Sequence, residues 1–363
     1  MTDTAYYKLR EFLDQFPIGY PETDSGVEIK ILKKLFTQDE AQTAVLLSPF
    51  PEEVEKIAVR NNQDADELRM KLESMSLKGL VFRSRRDGNT LYNTAPFMIG
   101  LYEYSVDIID EELAGLFREY YDTAFLTELG ISNVPGFKVI PIEENIEPNQ
   151  VLLPHHTLEE KIRASRKISV AECICRKETR LIDEACDYPL ETCLSFGVAA
   201  EYYIENGIGR EIDADEAIRI LNEADKAGLV HAGSNSKHLS NICNCCPCCC
   251  ASMKGITNLG HDKRKYMNAL YEALVNPQEC TLCEDCINRC PVGAITLTDE
   301  IQINRQKCLG CGLCAGVCPS ESISIYLRED REEPYDKVSD MGMAILEAKQ
   351  RNTLKQSEKK NTE

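Results

Sequence analysis

The sequence predicts a multidomain α+β protein of 363 residues. Three observations support this fold class. The first hundred residues contain no cysteine and show short helical patterns followed by a hairpin pattern. A middle region places helical segments between two groups of cysteines, and a later cysteine motif occurs twice with a short strand pattern after each copy. The chain is long enough for two or three domains with their own cores. The predicted bounds are 1–100, 101–165, 166–262, 263–330 and 331–363.

The N-terminal region begins with helical patterns. Apolar residues recur at helical spacing from Val27 to Phe36. Thr37 and Glu40 have the spacing of a capping box, which predicts the start of a helix over Asp39–Leu47. Further helices are predicted after Pro51, with Val54, Ile57 and Ala58 on one face, and after Asp64, with Leu68, Leu72 and Met75 inward.

A β-hairpin is predicted to follow these helices. Gly79–Arg83 and Leu91-Tyr92 have strand character, and the polar turn Asp87-Gly88-Asn89 separates them. Short helices followed by a hairpin make the segment Val27–Thr94 similar to a winged helix–turn–helix domain. That resemblance implies a module that binds either DNA or another protein.

Charge argues against the DNA-binding alternative without excluding it. Residues 1–100 hold 13 basic and 16 acidic residues, a net charge of −3. Acidic side chains crowd the helix that would enter the groove, at Asp64, Asp66, Glu67 and Glu73. A local basic face remains conceivable from five residues. These are Arg69, Lys71, Arg83, Arg85 and Arg86.

The next segments are predicted to be largely helical. Residues 101–165 form a connector with an amphipathic helix over Ile109–Phe125, a strand over Phe137–Ile142 and a Pro- and Asn-broken stretch near 148–154. The middle domain is expected to be mainly helical, with helices at Thr192–Glu205 and Ala214–Ala227. The second of these has Asp213 at its start and Gly228 as its C-cap.

The segments towards the C-terminus are predicted to contain both helices and strands. A helix is expected around Lys263–Val275, and short strands are expected to begin at Ile295 and Ile323. After Leu327 we expect a charged linker, a short helix near Met341–Lys349 and a disordered polar tail, because the tail has little apolar surface to bury.

The most specific signal is a duplicated cysteine motif. The run C-x2-C-x2-C-x3-C-P starts at Cys280 and recurs 28 residues later, starting at Cys308. Such runs hold [4Fe–4S] clusters through cysteine thiolates. Zinc also binds C-x2-C pairs but rarely uses this full run. Residues 270–330 therefore resemble the bacterial two-[4Fe–4S] ferredoxin family.

The resemblance implies a crossed ligation, in which the last cysteine of each motif serves the other cluster. It assigns the first cluster to Cys280, Cys283, Cys286 and Cys318. It assigns the second cluster to Cys308, Cys311, Cys314 and Cys290.

Ten further cysteines form a second candidate site. Six thiols within eight residues would be costly without a soft metal to hold them as thiolates. Because neighbouring side chains point apart, only two or three of the six are expected to face one centre. If the chain is extended at Cys173-Ile174-Cys175, both sulfur atoms point to one side. The ten are Cys173, Cys175, Cys186, Cys193, Cys243, Cys245, Cys246, Cys248, Cys249 and Cys250.

Three interpretations of this second site stay open. It is a third iron–sulfur cluster, a zinc or other structural metal site, or a reactive dithiol relay. Loosely, the paired cysteines resemble those of heterodisulfide-reductase-type proteins, without the full spacing. We expect the first four cysteines to share one centre with part of the Cys243–Cys250 run. Arg176, beside Cys175, either donates a hydrogen bond to a cluster sulfur or is a solvated surface residue.

Composition and missing motifs narrow the function. The net charge of −19 argues against bulk nucleic-acid or membrane binding and suits a partner with a basic face. No signal-type or membrane-spanning apolar stretch occurs, so reduced thiols in the cytoplasm are expected. The sequence also lacks a P-loop, a dinucleotide glycine motif and hydrolase motifs, so it does not decide whether the chain is an enzyme.

The sequence therefore predicts an iron–sulfur electron-transfer protein with two [4Fe–4S] clusters and a further cysteine-ligated centre. It would belong to an anaerobic redox system and work with a redox partner or an oxidoreductase subunit. The alternatives are a redox-sensing transcription regulator, with the N-terminal domain as its output, and a metal-trafficking or assembly factor. The ferredoxin-like spacing predicts tightly bound clusters, whereas an assembly factor would carry labile metal. The spacing therefore favours the first hypothesis over the assembly factor.

Overall fold

A computed structural model describes residues 3–142, 145–146, 158–184 and 186–360, with side chains described up to Asn352 in the last helix. The broken stretch predicted near 148–154 lies outside these residues. Contacts divide the chain into two compact units. Unit 1 comprises 1–128, 167–191 and 195–212, and unit 2 comprises 129–166, 192–194 and 213–363. These bounds cut through the predicted middle domain, and the five-domain division stays a prediction.

The helices follow in chain order. They are α1 (Thr4–Leu13), α2 (Val27–Leu35), α3 (Gln38–Ala44), α4 (Val54–Asn61), α5 (Ala65–Leu77), α6 (Tyr102–Tyr104), α7 (Glu111–Tyr120), α8 (Leu126–Leu129), α9 (Leu158–Ala164), α10 (Ile174–Leu181), α11 (Val198–Glu205), α12 (Ala214–Ala227), α13 (Ala251–Thr257), α14 (Asp285–Arg289) and α15 (Val338–Lys360).

The strands are likewise numbered along the chain. They are β1 (Glu52–Glu53), β2 (Val81–Arg86), β3 (Asn89–Thr94), β4 (Phe137–Val139), β5 (Ile168–Glu172), β6 (Glu191–Phe196), β7 (Arg210–Glu211), β8 (Val230–Ser234), β9 (Asn241–Cys245), β10 (Met267–Asn268), β11 (Tyr271–Val275), β12 (Ile295–Leu297), β13 (Ile301–Ile303) and β14 (Ile323–Leu327).

Unit 1 contains the helices predicted from the N-terminal patterns. The capping box at the start of α3 is confirmed: the Thr37 side chain accepts from the Glu40 amide, and the Glu40 carboxylate accepts from the Thr37 amide at 2.8 Å. Asp64 caps α5 in a similar way, accepting from two amides of the first turn. The predicted inward faces of α4 and α5 are buried.

The hairpin is also confirmed, and it belongs to a three-stranded sheet in the order β1-β3-β2. Its tight turn consists of Asp87 and Gly88, whose φ angles are 51° and 83°. Two positive φ angles characterise the turn that matches the twist of paired strands. The likeness to winged-helix domains stays a prediction, because only the kind and order of the elements support it.

An aromatic core stabilises unit 1. The buried ring of Phe97 packs against Tyr20 at 4.9 Å and against Phe125 at 4.8 Å between ring centroids. Helix α7 contributes Phe117 and Tyr120 to the same cluster. The amphipathic segment predicted over Ile109–Phe125 is thus confirmed as an element with one buried face.

Unit 2 is built around a small sheet with strand order β10-β4-β8-β9. Strands β8 and β9 are antiparallel, with His231 opposite Asn244. Helix α12 begins at the Asp213 cap and ends at Gly228 with a φ of 96°, as predicted. Of the strand predicted over Phe137–Ile142, the first three residues form β4.

Three sequence-based predictions in this part of the chain were wrong. The helix expected over Thr192–Glu205 is strand β6 followed by α11, because Gly197 with a φ of 58° breaks the pattern between them. The helix expected around Lys263–Val275 is instead a short turn followed by β10 and β11. The middle region, expected to be mainly helical, contains β5 to β9 as well as α10 to α13.

The C-terminal segment also differs from the prediction. Helix α15 runs from Val338 to Lys360. It is longer than the short helix expected near Met341–Lys349 and covers most of the segment expected to be a disordered tail. Met341, Ile345 and Ala348 are buried along one side of it. These positions are spaced by four and three residues and lie within the expected short helix, so this part of α15 buries one face.

The last part of unit 2 surrounds the duplicated motif. Strand β11 pairs antiparallel with β14, and β12 pairs antiparallel with β13. The predicted strand starts at Ile295 and Ile323 are confirmed. A core of Ile295, Ile301, Ile323 and Ile325 packs beneath the cysteine loops.

We expect Thr37→Ala to weaken α3, because it removes the side-chain acceptor of the capping box. Loss of such a cap costs about 1 kcal/mol, which corresponds to roughly fivefold faster amide exchange through local opening of the helix. Hydrogen exchange of the full chain measures this. Gln42→Ala, on the exposed face of α3, is the matched control. Equal exchange in the two variants would contradict the role of the cap.

Candidate metal centres

Two cavities in unit 2 are lined by cysteines of the duplicated motif. One is lined by Cys280, Cys283, Cys286 and Cys318. Cys280 and Cys283 come from the loop that leads into α14, Cys286 lies in the first turn of that helix, and Cys318 comes from the second motif. The loop takes sharp turns, with φ angles of 57° at Leu282 and 66° at Glu284. The structure thus brings thiols from both copies of the motif to one cavity.

The other cavity has the reciprocal composition. It is lined by Cys308, Cys311 and Cys314 of the second motif and by Cys290 of the first. Gly310, with a φ of 67°, lies so close to the Tyr271 carbonyl that a Cβ there would overlap it. Glycine is therefore required for this loop to fold back over β11.

Each cavity offers four soft sulfur donors. Burial raises the pKa of Cys286 and Cys314 and raises the pKa of Cys311 to about 12. These thiols are therefore neutral near pH 7 unless a metal cation replaces their protons. Four sulfur donors around a small enclosed space match the ligand set of a [4Fe–4S] cluster.

Hydrogen bonds reach several of these sulfur atoms. The Ala294 amide donates to Cys290 Sγ at 3.2 Å, and the Ala273 amide donates to Cys308 Sγ at 3.4 Å. Cys318 Sγ lies 3.3 Å from Ser322 Oγ and 3.6 Å from Ser320 Oγ. Burial alone would raise the pKa of Cys318, but these serine contacts outweigh it and lower the pKa. Bonds of this kind set the reduction potential of a bound cluster.

The comparison with known families agrees with this geometry. Residues 279–322 match the family described as the 4Fe-4S dicluster domain. A dicluster domain implies two [4Fe–4S] clusters and suggests electron transfer. No curated protein and no solved structure matches the chain.

The run of six cysteines lies at the end of β9 and the start of α13. The sulfur atoms of Cys246, Cys248 and Cys249 all lie within 4.8 Å of one another. Two of these residues are buried, and Cys248 is exposed. In a tetrahedral zinc site the Zn–S distance of about 2.3 Å puts the sulfur atoms roughly 3.8 Å apart. The three thiols are thus spaced closely enough to bind one metal ion.

The Cys245 thiol is buried. The side chains of Cys243 and Cys250, together with this burial, raise its pKa. Which of the six cysteines face one centre stays a prediction.

The four preceding cysteines occupy different local structures. Cys173 is the N-cap of α10, and Cys175 lies in the first turn of that helix. The extended conformation considered for Cys173-Ile174-Cys175 is therefore wrong. Cys186 lies in the segment after α10, and Cys193 lies in β6. Within unit 2, the Thr192 carbonyl beside Cys193 accepts a hydrogen bond of 2.6 Å from the Asn244 side chain.

Several polar residues around the cysteines are more buried than the sequence suggested. Arg176 is 1% exposed, which rules out the solvated alternative. His231 is buried, its Nδ1 lies 2.6 Å from Asn244 Oδ1, and burial lowers its pKa. Lys263 donates to the backbone carbonyls of Arg305 and Cys308. Sequence reasoning did not find the role of Lys263, because the signal is a contact between residues 45 positions apart.

The basic residues proposed for a DNA-binding face all have acidic partners within unit 1. Arg83 is buried and binds Glu73 and Glu205, and Arg85 also binds Glu205. The remaining ion pairs are Arg69–Glu55, Lys71–Asp39 and Arg86–Asp87. Their charge is thus locally neutralised, which weakens the case for a basic face.

Among the described residues, no helix combines the length and the apolar character needed to cross a membrane.

The cavity compositions predict which pairs of cysteines act together. We expect Cys283→Ala and Cys318→Ala to affect one cluster, so that the double variant loses no more than about four iron atoms. Cys283→Ala combined with Cys290→Ala should lose about eight, because it damages both clusters. Iron analysis of anaerobically purified protein measures the difference. The reverse pattern would show that each motif binds its own cluster.

Proposed function

We propose that this protein is an electron-transfer component of an anaerobic redox system. It would exchange electrons with a redox partner or an oxidoreductase subunit. The observation that carries the proposal is the pair of cavities within or beside residues 279–322, each lined by four cysteines.

The cavity compositions support the crossed ligation implied by the ferredoxin resemblance. The first cluster would be held by Cys280, Cys283, Cys286 and Cys318, and the second by Cys308, Cys311, Cys314 and Cys290. When bound, a [4Fe–4S] cluster supplies reversible one-electron transfer. The chain positions the thiolates, screens them from water and donates amide hydrogen bonds to Cys290 and Cys308.

A further cysteine-ligated centre is proposed at Cys246, Cys248 and Cys249. Their mutual distances of 4.8 Å or less support metal binding. Three thiolates leave one position of a tetrahedral site open. The bound metal is either zinc or an iron–sulfur cluster, and measuring zinc, iron and sulfide in the purified protein distinguishes the two.

A redox-sensing transcription regulator is the second candidate function. The helices α2 to α5 and the hairpin of β2 and β3 that follows them favour it, since the resemblance to a winged-helix domain rests on this order. The paired state of the five basic residues counts against it. Fluorescence anisotropy with duplex DNA at low salt decides: binding that changes with the oxidation state of the protein would favour the regulator over the electron carrier.

We expect at least eight iron atoms per chain, with equimolar acid-labile sulfide, because two complete sets of four cysteines are present. Anaerobic iron and sulfide analysis measures the content, and low-temperature EPR identifies the clusters. Four or fewer irons after reconstitution would contradict two clusters. Rapid loss of this iron to a chelator would instead favour the assembly-factor hypothesis.

Lys263 is expected to raise the reduction potential of the second cluster. Burial lowers its pKa to about 8, so the side chain stays mostly protonated at pH 7. A positive charge beside the Cys308 carbonyl stabilises the more negative, reduced form of a cluster. Lys263→Met should therefore lower the potential in an EPR-monitored titration. Lys265→Met makes the same charge change two residues further along the same turn and should have a smaller effect. Equal shifts would contradict a specific role for Lys263.

A further inference from the structure

A cavity of about 420 Å³ lies in unit 2, beside the short turn Lys263–Lys265 that precedes β10. Its walls come from this turn, from the segment that follows β14 and from the residues before β4. No described cysteine lines it, so it is separate from the two cavities of the duplicated motif. A cavity of a few hundred Å³ has the size of a small-molecule site.

The lining of this cavity is polar and mainly basic. Among the described residues that line it, only Pro135 and Ala269 are apolar. Five basic side chains face three acidic ones, which leaves an excess of positive charge in a chain whose net charge is −19. An apolar ligand would therefore find few partners here, whereas an anion would find several. The basic residues are Lys263, Arg264, Lys265, Arg328 and Arg331.

Carboxylates neutralise the arginines of the lining but not its lysines. Each arginine forms an ion pair at 2.9 to 3.6 Å, and the pairs are Arg264–Asp262, Arg328–Asp330 and Arg331–Glu333. Lys263 donates to two backbone carbonyls, which leaves one of its three N–H donors. Among the described residues, the Lys265 ammonium has no ion-pair partner. Two positive charges of the lining are thus left without a carboxylate.

Burial makes an anion at this position favourable. Lys263 is 3% exposed and Arg328 is 4% exposed. Removing a charge from water costs free energy unless an opposite charge or several hydrogen bonds replace the water. Arg328 has the Asp330 carboxylate, but the partners of Lys263 are neutral carbonyls. A bound anion would supply the negative charge that this part of the cavity lacks.

Hydrogen bonds hold the walls of the cavity in place. The Asn268 side chain donates to the Glu332 carbonyl at 2.8 Å. The Arg331 guanidinium donates to the Arg328 carbonyl at 3.0 Å, and the Arg328 amide donates to the Leu270 carbonyl at 2.9 Å. These contacts tie the segment after β14 to β10 and its neighbours. Since the walls are already ordered, little conformational entropy is lost when a ligand binds.

We propose that this cavity binds a small oxyanion, the phosphate or carboxylate group of a polar small molecule. Lysine and arginine form charge-assisted hydrogen bonds with both groups. The net charge of the chain disfavours anions, so the local excess of basic side chains has to provide the affinity. This goes beyond the proposed function, which concerns only the cysteine-ligated centres.

Isothermal titration calorimetry of the full-length protein, purified without oxygen, tests the proposal at constant ionic strength. Inorganic phosphate and succinate are titrated separately, which distinguishes the two kinds of oxyanion. We expect saturable binding of at least one of them. Lys265→Gln removes a charge that has no ion-pair partner and should weaken this binding about tenfold, as for the loss of one charge-assisted hydrogen bond. Lys265→Arg keeps the charge and should retain most of the affinity.

A matched control separates the cavity from the general charge of the protein. Lys237→Gln makes the same charge change at an exposed position of unit 2 that does not line this cavity, and it should leave the affinity unchanged. Arg331→Gln, in the segment after β14, should weaken binding as Lys265→Gln does. It provides the test if the Lys265 variant does not fold. The iron content of each variant reports on folding separately, because no cysteine is altered.

Two results would overturn the proposal. One is the absence of saturable binding for both phosphate and succinate in the unchanged protein. The other is an equal loss of affinity in Lys265→Gln and Lys237→Gln, which would show that the anions respond to overall charge and not to this cavity.

Discussion

The constraint on which much of this structure depends is that buried sulfur must be either protonated or bound to a cation. The chain carries 18 cysteines, and several of them are buried in close contact with one another. Burial raises the pKa of Cys286, Cys311 and Cys314, so these sites favour neutral thiols when no metal is bound. A metal removes the protons and links the segments that carry the ligands, so metal binding and folding are coupled.

The local backbone follows from this constraint. Cysteines spaced by two residues can point to one centre only if the loop between them turns sharply, and the positive φ angles at Leu282, Glu284 and Gly310 provide such turns. The paired strands β11–β14 and β12–β13 then hold the loops over a small apolar core. Since that core is small, much of the stability of this part of unit 2 is expected to come from the metal–sulfur bonds.

The features predicted well from the sequence are those that depend only on neighbouring residues. Helix α12, the capping box at Thr37 and the Asp87-Gly88 turn each follow from a few neighbouring residues with a defined geometry. The errors arose where long-range pairing decides the structure. Tyr271–Val275 was expected to continue a helix, yet it forms β11 because β14, some fifty residues later, supplies its hydrogen bonds.

The charge of the protein and the exposure of its cysteines affect how it would bind a redox partner. A net charge of −19 attracts a basic surface from a distance, and such steering mainly raises the rate of encounter. The basic side chains of the N-terminal hairpin do little to weaken the negative electrostatic potential, because Arg83 and Arg85 are paired with Glu205. Cys283, in contrast, is exposed at the cavity it lines. Electron transfer to a docked protein requires at least one centre close to the surface, whereas the largely buried Cys308 and Cys314 favour a more enclosed second cluster. With the proposed ligation, the first cluster would be the better entry point for electrons, and the second, beside Lys263, would be the better place to hold them.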